Sequence, residues 1–261
     1  MHTGWTAIIL AGQRPGPDKL ASHFHMEWKA LVPVAGEAML TRVIRTLRAS
    51  PSIGRIVVLS QRPDVMAEAV AAGGGADASI AGGSGIAISI RAIAGSGDAP
   101  WPVFVTTADH PLLTVDMIEQ FLRDAAYADL SVGMVEERTM LARFPDARRT
   151  WLRFADGAWS GANLFALTGD AATPALDLWA EAEGDRKKPL KLFMHFGPML
   201  ALRAITRTIG LDAALARAGR RMGLRARLVA LDDPVAAIDV DKPFDHAQAE
   251  AILAARESGR E

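Results

Sequence analysis

Four short segments of this 261-residue chain carry side chains whose types and spacing suit phosphate chemistry. In the first, the apolar run Val103–Thr107 reads as a buried strand and is followed at once by Ala108-Asp109-His110-Pro111-Leu112-Leu113. Ligands of open α/β sheets bind beyond the carboxyl ends of the strands. A carboxylate there is placed to hold a hard cation that bridges phosphate oxygens. The plainer alternative is that Asp109 only opens a turn before Pro111, and His110 is expected to fill the loop without a chemical role. In the second, Asp239 and Asp241 alternate along Ala237-Ile-Asp239-Val-Asp241-Lys-Pro, so both point to one face. One can join Asp109 while the other caps the helix begun near Pro243. In the third, Thr6–Leu10 runs into Ala11-Gly12 and a loop with Pro15, Gly16 and Pro17. Backbone N–H groups in such a loop can cradle phosphates, and Arg14, Lys19 and Lys29 add positive charge. Similar turns occur throughout doubly wound proteins. In the fourth, Gly82 and Gly83 let the chain approach a flat base, and Ser89 can hydrogen-bond that base or simply cap a helix.

The elements that must position these groups alternate between strand and helix. Strands are expected at 6–10, 55–59, 78–80, 103–107 and 130–135, with helices at 39–47, 65–72, 86–93 and 115–126. Such alternation implies βαβ units with right-handed crossovers and a mostly parallel sheet, a Rossmann-like α/β three-layer sandwich. The second half is less regular. It is expected to hold paired strands at 150–154 and 163–166 around an Asp156-Gly157 turn, helices at 176–182 and 211–221, a late strand at 226–231 and a terminal helix at 244–255. The division expected is a single domain over 1–261, with core segments 5–170 and 225–256 and a helical insertion over about 171–224. Within that insertion Arg186, Lys187, Lys188 and Lys191 precede the apolar stretch Leu192–Ile205. The apolar stretch is expected to pack as a core helix, with the cations solvated or touching an anionic substrate.

Composition narrows the functional classes. Half of the chain is apolar and 6% aromatic, ample for a sizeable core. Its net charge of −1 argues against a general nucleic-acid binder. The absence of cysteine excludes disulfides, thiol catalysis and cysteine–zinc sites. No signal peptide and no membrane-spanning run is recognised, so stable membrane insertion is not expected and the cytoplasm is the expected compartment.

These motifs taken together resemble the MobA-like NTP transferase family, related to the molybdenum-cofactor guanylyltransferases and the methylerythritol-phosphate cytidylyltransferases. Leu10, Ala11, Gly12, Lys29, Leu31, Pro33, Gly36 and Met39-Leu40 stand where that family's opening motif has its residues. Gly82, Gly83 and Ser89 match its base-binding segment, and Asp109-His110-Pro111 and Asp239-Val-Asp241 match its two metal-binding segments. Gly161-Ala-Asn163 resembles the strand that lines its acceptor side. The resemblance implies a nucleotide-diphospho-sugar transferase type fold and transfer of a nucleoside monophosphate from an NTP, CTP or GTP being favoured, to a phosphorylated acceptor, with release of pyrophosphate. It implies that Lys29, Asp109 and Asp239 are catalytic, that Asp109 and Asp239 hold Mg2+, and that Leu10, Ala11, Gly12, Arg14, Gly82, Gly83 and Ser89 bind nucleotide. Gly161 and Asn163 would face the acceptor, and outside the family's core the basic cluster with Lys187 and Lys188 could bind an anionic acceptor. The chain departs from the pattern at Gln13, where a glycine is usual, at Ile86, where an arginine is usual, and in its longer loop up to Lys29. Two other readings stand beside this one. The first is a glycosyltransferase, against which the absence of Asp-x-Asp at the strand end counts, and the second is a non-catalytic nucleotide-binding protein.

Overall fold

The computed structural model describes residues 4–83, 85–184 and 197–259. Strand β1 (Trp5–Leu10) is the central element, and its burial follows from its composition. Ala7, Ile8 and Ile9 are all fully buried, and alternate residues feed two different cores. Ala7 and Ile9 join one cluster, whereas Ile8 joins the other. A strand apolar on both faces must be covered on both faces, which requires three layers.

Among the described residues the main sheet has eight strands. Beyond β1 these include β4 (Ile53–Ser60), β5 (Ala78–Ala81), β6 (Val103–Thr107), β7 (Leu130–Glu136), β8 (Leu152–Phe154), β9 (Gly157–Leu167) and β10 (Ala226–Ala230). The order is β10-β7-β9-β6-β1-β4-β5, with β8 paired to β9. The pairs β1–β4, β1–β6, β4–β5 and β7–β10 are parallel. Strand β9 runs antiparallel to β6, β7 and β8. A two-stranded hairpin of β2 (Pro33–Val34) and β3 (Glu37–Ala38) lies apart from the sheet.

Helices cover both faces. On one, α2 (Met39–Ala49), α3 (Pro63–Ala72), α5 (Val115–Ala125) and the C-terminal helix Pro243–Glu257 contribute Val43, Met66, Phe121 and Ile252 to the larger core. On the other, α4 (Ile86–Ile93) and a helix at Thr173–Gly184 contribute Ile90 and Leu176. In α2, Met39, Leu40, Val43, Ile44 and Leu47 are buried at helical spacing, and Thr114 caps α5 by accepting from the Met117 N–H.

The expected elements are present, with some differences. Strand β9 begins at Gly157, well before the expected Asn163, because it extends along β7 and turns back tightly from β8. The short helices α1 (Lys19–His23) and α6 (Glu137–Arg143) and the β2–β3 hairpin were not expected, being too short to show periodicity. Numbering on through the second half, α7 is Thr173–Gly184, α8 Pro198–Ile205, α9 Leu211–Arg221 and α10 Pro243–Glu257. The expectation of a core-packed helix over Leu192–Ile205 needs correction where the structure describes it. In α8 only Ala201 is buried, while Met199, Leu202 and Ile205 are exposed at 65%, 54% and 65%. Helical spacing of apolar residues states what a face would bury, not that a surface lies opposite it. Among the described residues no helix is long and apolar enough to cross a membrane.

Candidate active site

Asp109 lies just past the end of β6, the parallel neighbour of β1, and Ala11 and Gly12 lie just past the end of β1. The backbone N–H of Val240 donates to the Asp109 carbonyl at 2.9 Å. That bond, with Ile238 and Val240 buried in the larger core, holds the 239–241 segment alongside Asp109. Because side chains alternate in extended chain, Asp239 and Asp241 are both presented toward it. Asp109, Asp239 and Asp241 each bring a carboxylate oxygen within 4.8 Å of the others.

Two cations enter this acidic cluster. The Lys29 ammonium donates to Asp109 Oδ2 at 2.5 Å and to Asp241 Oδ1. Arg149 Nη2 donates to Asp239 Oδ1 at 2.7 Å. Burial works against the charged form of Lys29, but Asp109 and Asp241 outweigh it and raise its pKa, so the ammonium is retained. The Asp239 carboxyl is pushed above its ordinary value by burial, with Arg149 opposing and Asp109 and Asp241 reinforcing the shift. The donor set fits a divalent cation: the oxygens are hard ligands, and Asp109 Oδ1 is buried with no hydrogen-bond partner among the described residues.

The cap of α10 is Asp245, not a member of the Asp239–Asp241 pair as expected. Asp241 spends its carboxylate on Lys29, and Asp245 caps α10 by accepting from the backbone N–H groups of Lys242 and Asp241 at 2.9 and 3.2 Å. A carboxylate three residues into the helix reaches the free N–H groups as well as an N-cap does.

The loop from β1 to Lys29 is held by a residue to which no role was assigned. The Gln13 side chain donates to Glu27 O at 2.9 Å and accepts from the Lys29 N–H at 3.0 Å. Its own backbone is gripped by Gln61, which accepts from the Gln13 N–H and donates to the Gln13 carbonyl, both at 3.1 Å. A Cβ on Gly12 would sit 2.7 Å from Gln61 Oε1, so a larger residue there would push the Gln61 side chain out of this contact. Gln13 thus closes the base of the long loop and sets the backbone of Lys29. Arg14 is exposed on that loop.

Ser89 serves the glycine segment before any ligand. Its hydroxyl accepts from the Gly83 N–H at 2.8 Å and donates to the Gly85 carbonyl at 2.7 Å. It therefore shapes the Gly82-Gly83 turn from beneath, and it does not cap α4. Glu183 of α7 takes the N-terminus of α4, accepting from the Ala87 N–H at 3.0 Å.

On β9, Gly161 is exposed opposite Met134, and Asn163 has φ 53 where the β7–β9 register shifts. Asparagine tolerates that left-handed geometry better than most residues. Lys187 and Lys188 lie outside the described residues. His110 is fully buried, and burial pushes its imidazole down to about 4. Its ring lies beside the Val235 backbone, and the expectation of a loop-filling role agrees with this burial.

The model of the MobA-like NTP transferase domain matches residues 7–220. The chain belongs to this family. It is accordingly a nucleotidyltransferase-type enzyme. No curated protein matches the chain significantly. Among solved structures, a hypothetical transferase from Thermus thermophilus is 28% identical with a TM-score of 0.77, over 93% of this chain and 99% of that one. The 4-diphosphocytidyl-2C-methyl-D-erythritol synthase of Anaerococcus prevotii is 10% identical with a TM-score of 0.58, over 97% of both chains. A CMP:2-keto-3-deoxy-manno-octonic acid synthetase complexed with CTP is 16% identical with a TM-score of 0.57, over 97% of this chain and 100% of that one. The last two likenesses establish the nucleotide-sugar transferase type of fold.

Three residues of the site went unread in the sequence. For Gln13 the signal was its departure from the family's glycine. Gln61 and Arg149 carried none, since each reaches the site from a remote strand end or from the irregular 144–151 stretch.

Proposed function

We propose that this enzyme transfers a nucleoside monophosphate from an NTP to a phosphorylated small-molecule acceptor and releases pyrophosphate, with Mg2+ as cofactor. The observation that carries the reading is the cluster of Asp109, Asp239 and Asp241 around Lys29 at the carboxyl ends of the central parallel strands. Ligands of such sheets bind there. Asp109 and Asp239 would hold the metal, with Asp241 beside them. When bound, the ion supplies positive charge shared among the NTP phosphate oxygens.

The chain's own residues do the rest. Ala11, Gly12 and the following loop offer backbone N–H groups to the phosphates, with Leu10 ending the strand that aims them and Arg14 at the loop surface. The Gly82-Gly83 turn, shaped by Ser89, lies past the end of β5 and would receive the base. An acceptor phosphate oxygen attacks the α-phosphorus in line, one O–P bond forms, and the bond to pyrophosphate breaks. Lys29 stabilises the charge gathering on the leaving pyrophosphate. Gly161, Asn163, Lys187 and Lys188 are proposed for the acceptor side. CTP is the favoured donor, since one structural neighbour holds CTP and another is named for a cytidyl product. We read the chain as one domain of the cytoplasm with a helical insertion over about 171–224.

The test is a matrix of four NTPs against phosphorylated acceptors, read by pyrophosphate release, for wild type and Asp109→Asn. Turnover should appear with wild type and fall by at least about a hundredfold in the variant, as expected for loss of several kcal/mol of metal-borne stabilisation. Near-normal turnover of Asp109→Asn in saturating Mg2+ would exclude the metal site.

A further inference from the structure

We infer that Arg149 is the residue that receives the acceptor's phosphate, with Asp239 as its resting partner. The inference rests on the nucleotidyl-transfer reading above and names the group that meets the second substrate. Lys29 and Arg149 divide the acidic cluster between them: among the described residues the ammonium contacts Asp109 and Asp241, and the guanidinium contacts Asp239. Lys29 stands beside the β1 loop, where the NTP phosphates would lie, so Arg149 marks a different flank of the same cluster.

The geometry leaves Arg149 with capacity to spare. Of its five N–H donors, one contacts Asp239, and among the described residues the others have no hydrogen-bond partner. None of its nitrogens is sealed from solvent without a partner, so the spare donors remain open to an incoming group. The side chain is nevertheless only 14% exposed, so the guanidinium is largely desolvated and its remaining donors act at low effective dielectric. A planar fork of donors on an irregular segment between α6 and β8 suits a phosphate dianion better than a point charge does.

Charge counting gives the coupling. Three carboxylates against Lys29 and Arg149 leave a formal charge of −1. A divalent ion taken up by the carboxylates turns that balance positive, and the guanidinium then competes with the ion for Asp239. An incoming phosphate relieves that competition by taking the guanidinium. Metal uptake and phosphate capture at Arg149 are thereby linked through one carboxylate.

The experiment uses protein without added nucleotide. Free Mn2+ is titrated by electron paramagnetic resonance, and inorganic phosphate binding is measured by calorimetry in excess Mg2+. Wild type, Arg149→Gln, Arg149→Lys and the exposed control Arg153→Gln are compared. Arg149→Gln should bind Mn2+ about threefold more tightly, because a competing cation is gone. It should bind phosphate about tenfold more weakly, the scale of one charge-assisted contact. Arg149→Lys should lie between, and the control should match wild type. Unchanged or weaker Mn2+ binding in Arg149→Gln would make Arg149 a support for Asp239 and overturn the idea, as would unchanged phosphate binding. If wild type binds no Mn2+, the metal reading of the proposed function fails, and the phosphate titration still decides Arg149.

Discussion

Replacing Lys29 by methionine should destabilise the protein when divalent ions are chelated and cost much less when Mg2+ is in excess. Methionine keeps most of the buried stem and removes only the ammonium, so packing is a minor part of the change. The carboxylate oxygens of the cluster lie within 4.8 Å of one another. At an effective dielectric near 20, two unit charges at that separation repel by roughly 3.5 kcal/mol. Solvent screens much of this at Asp241, which is 57% exposed. Arg149 still offsets Asp239. The net loss should therefore be about 2 kcal/mol, a fall in melting temperature of roughly 4–8 °C for a chain of this size. Excess Mg2+ supplies the missing charge and should stabilise the variant more than the wild type. Urea unfolding followed by far-UV circular dichroism, in EDTA and in Mg2+, measures both. Equal stability of the two proteins in EDTA, or an equal Mg2+ increment for both, would refute the reasoning.

Gln13→Gly removes two neutral hydrogen bonds worth about 1 kcal/mol each from the base of the loop. Hydrogen exchange of residues 14–28 should quicken by about tenfold, read by mass spectrometry, with exchange in α5 unchanged. Ser89→Ala strips the Gly83 N–H of its partner and leaves the Gly85 carbonyl with the Ser89 N–H alone, so the NTP KM should rise up to about tenfold while kcat changes little; a fall in kcat alone would argue against a nucleotide-side role. His110 supplies a pH test. Its pKa is lowered to about 4 in the folded protein against about 6.5 unfolded. Between these values the unfolded chain binds a proton that the native state refuses, so stability should fall as pH drops from about 6.5 to 4, by up to roughly 3 kcal/mol. Denaturant melts of wild type and His110→Asn at pH 7, about 5.5 and about 4.5 should show a shallower fall in the variant, and parallel curves would remove His110 as the cause.

Local patterning alone determined the succession of elements through most of the chain. Val103–Thr107 and Leu211–Arg221 appear with the expected bounds because buried strands and amphipathic helices write their period directly into the residue order. The motif carboxylates were legible too, since a lone Asp after an apolar strand and an alternating Asp pair are local features. What no local pattern contains is which distant segments meet. The antiparallel course of β9 between β6 and β7, the Val240–Asp109 backbone bond that brings the second carboxylate pair to the first, and the choice of Asp245 over Asp241 as helix cap depend on strand order and docking. Gln61 and Arg149 reach the site 48 and 90 residues away from Gln13 and Asp239, their partners. Periodicity reports how each element buries its own face, and only the tertiary structure decides which charges then face one another, because the cost of leaving a buried charge unpaired is settled across the fold.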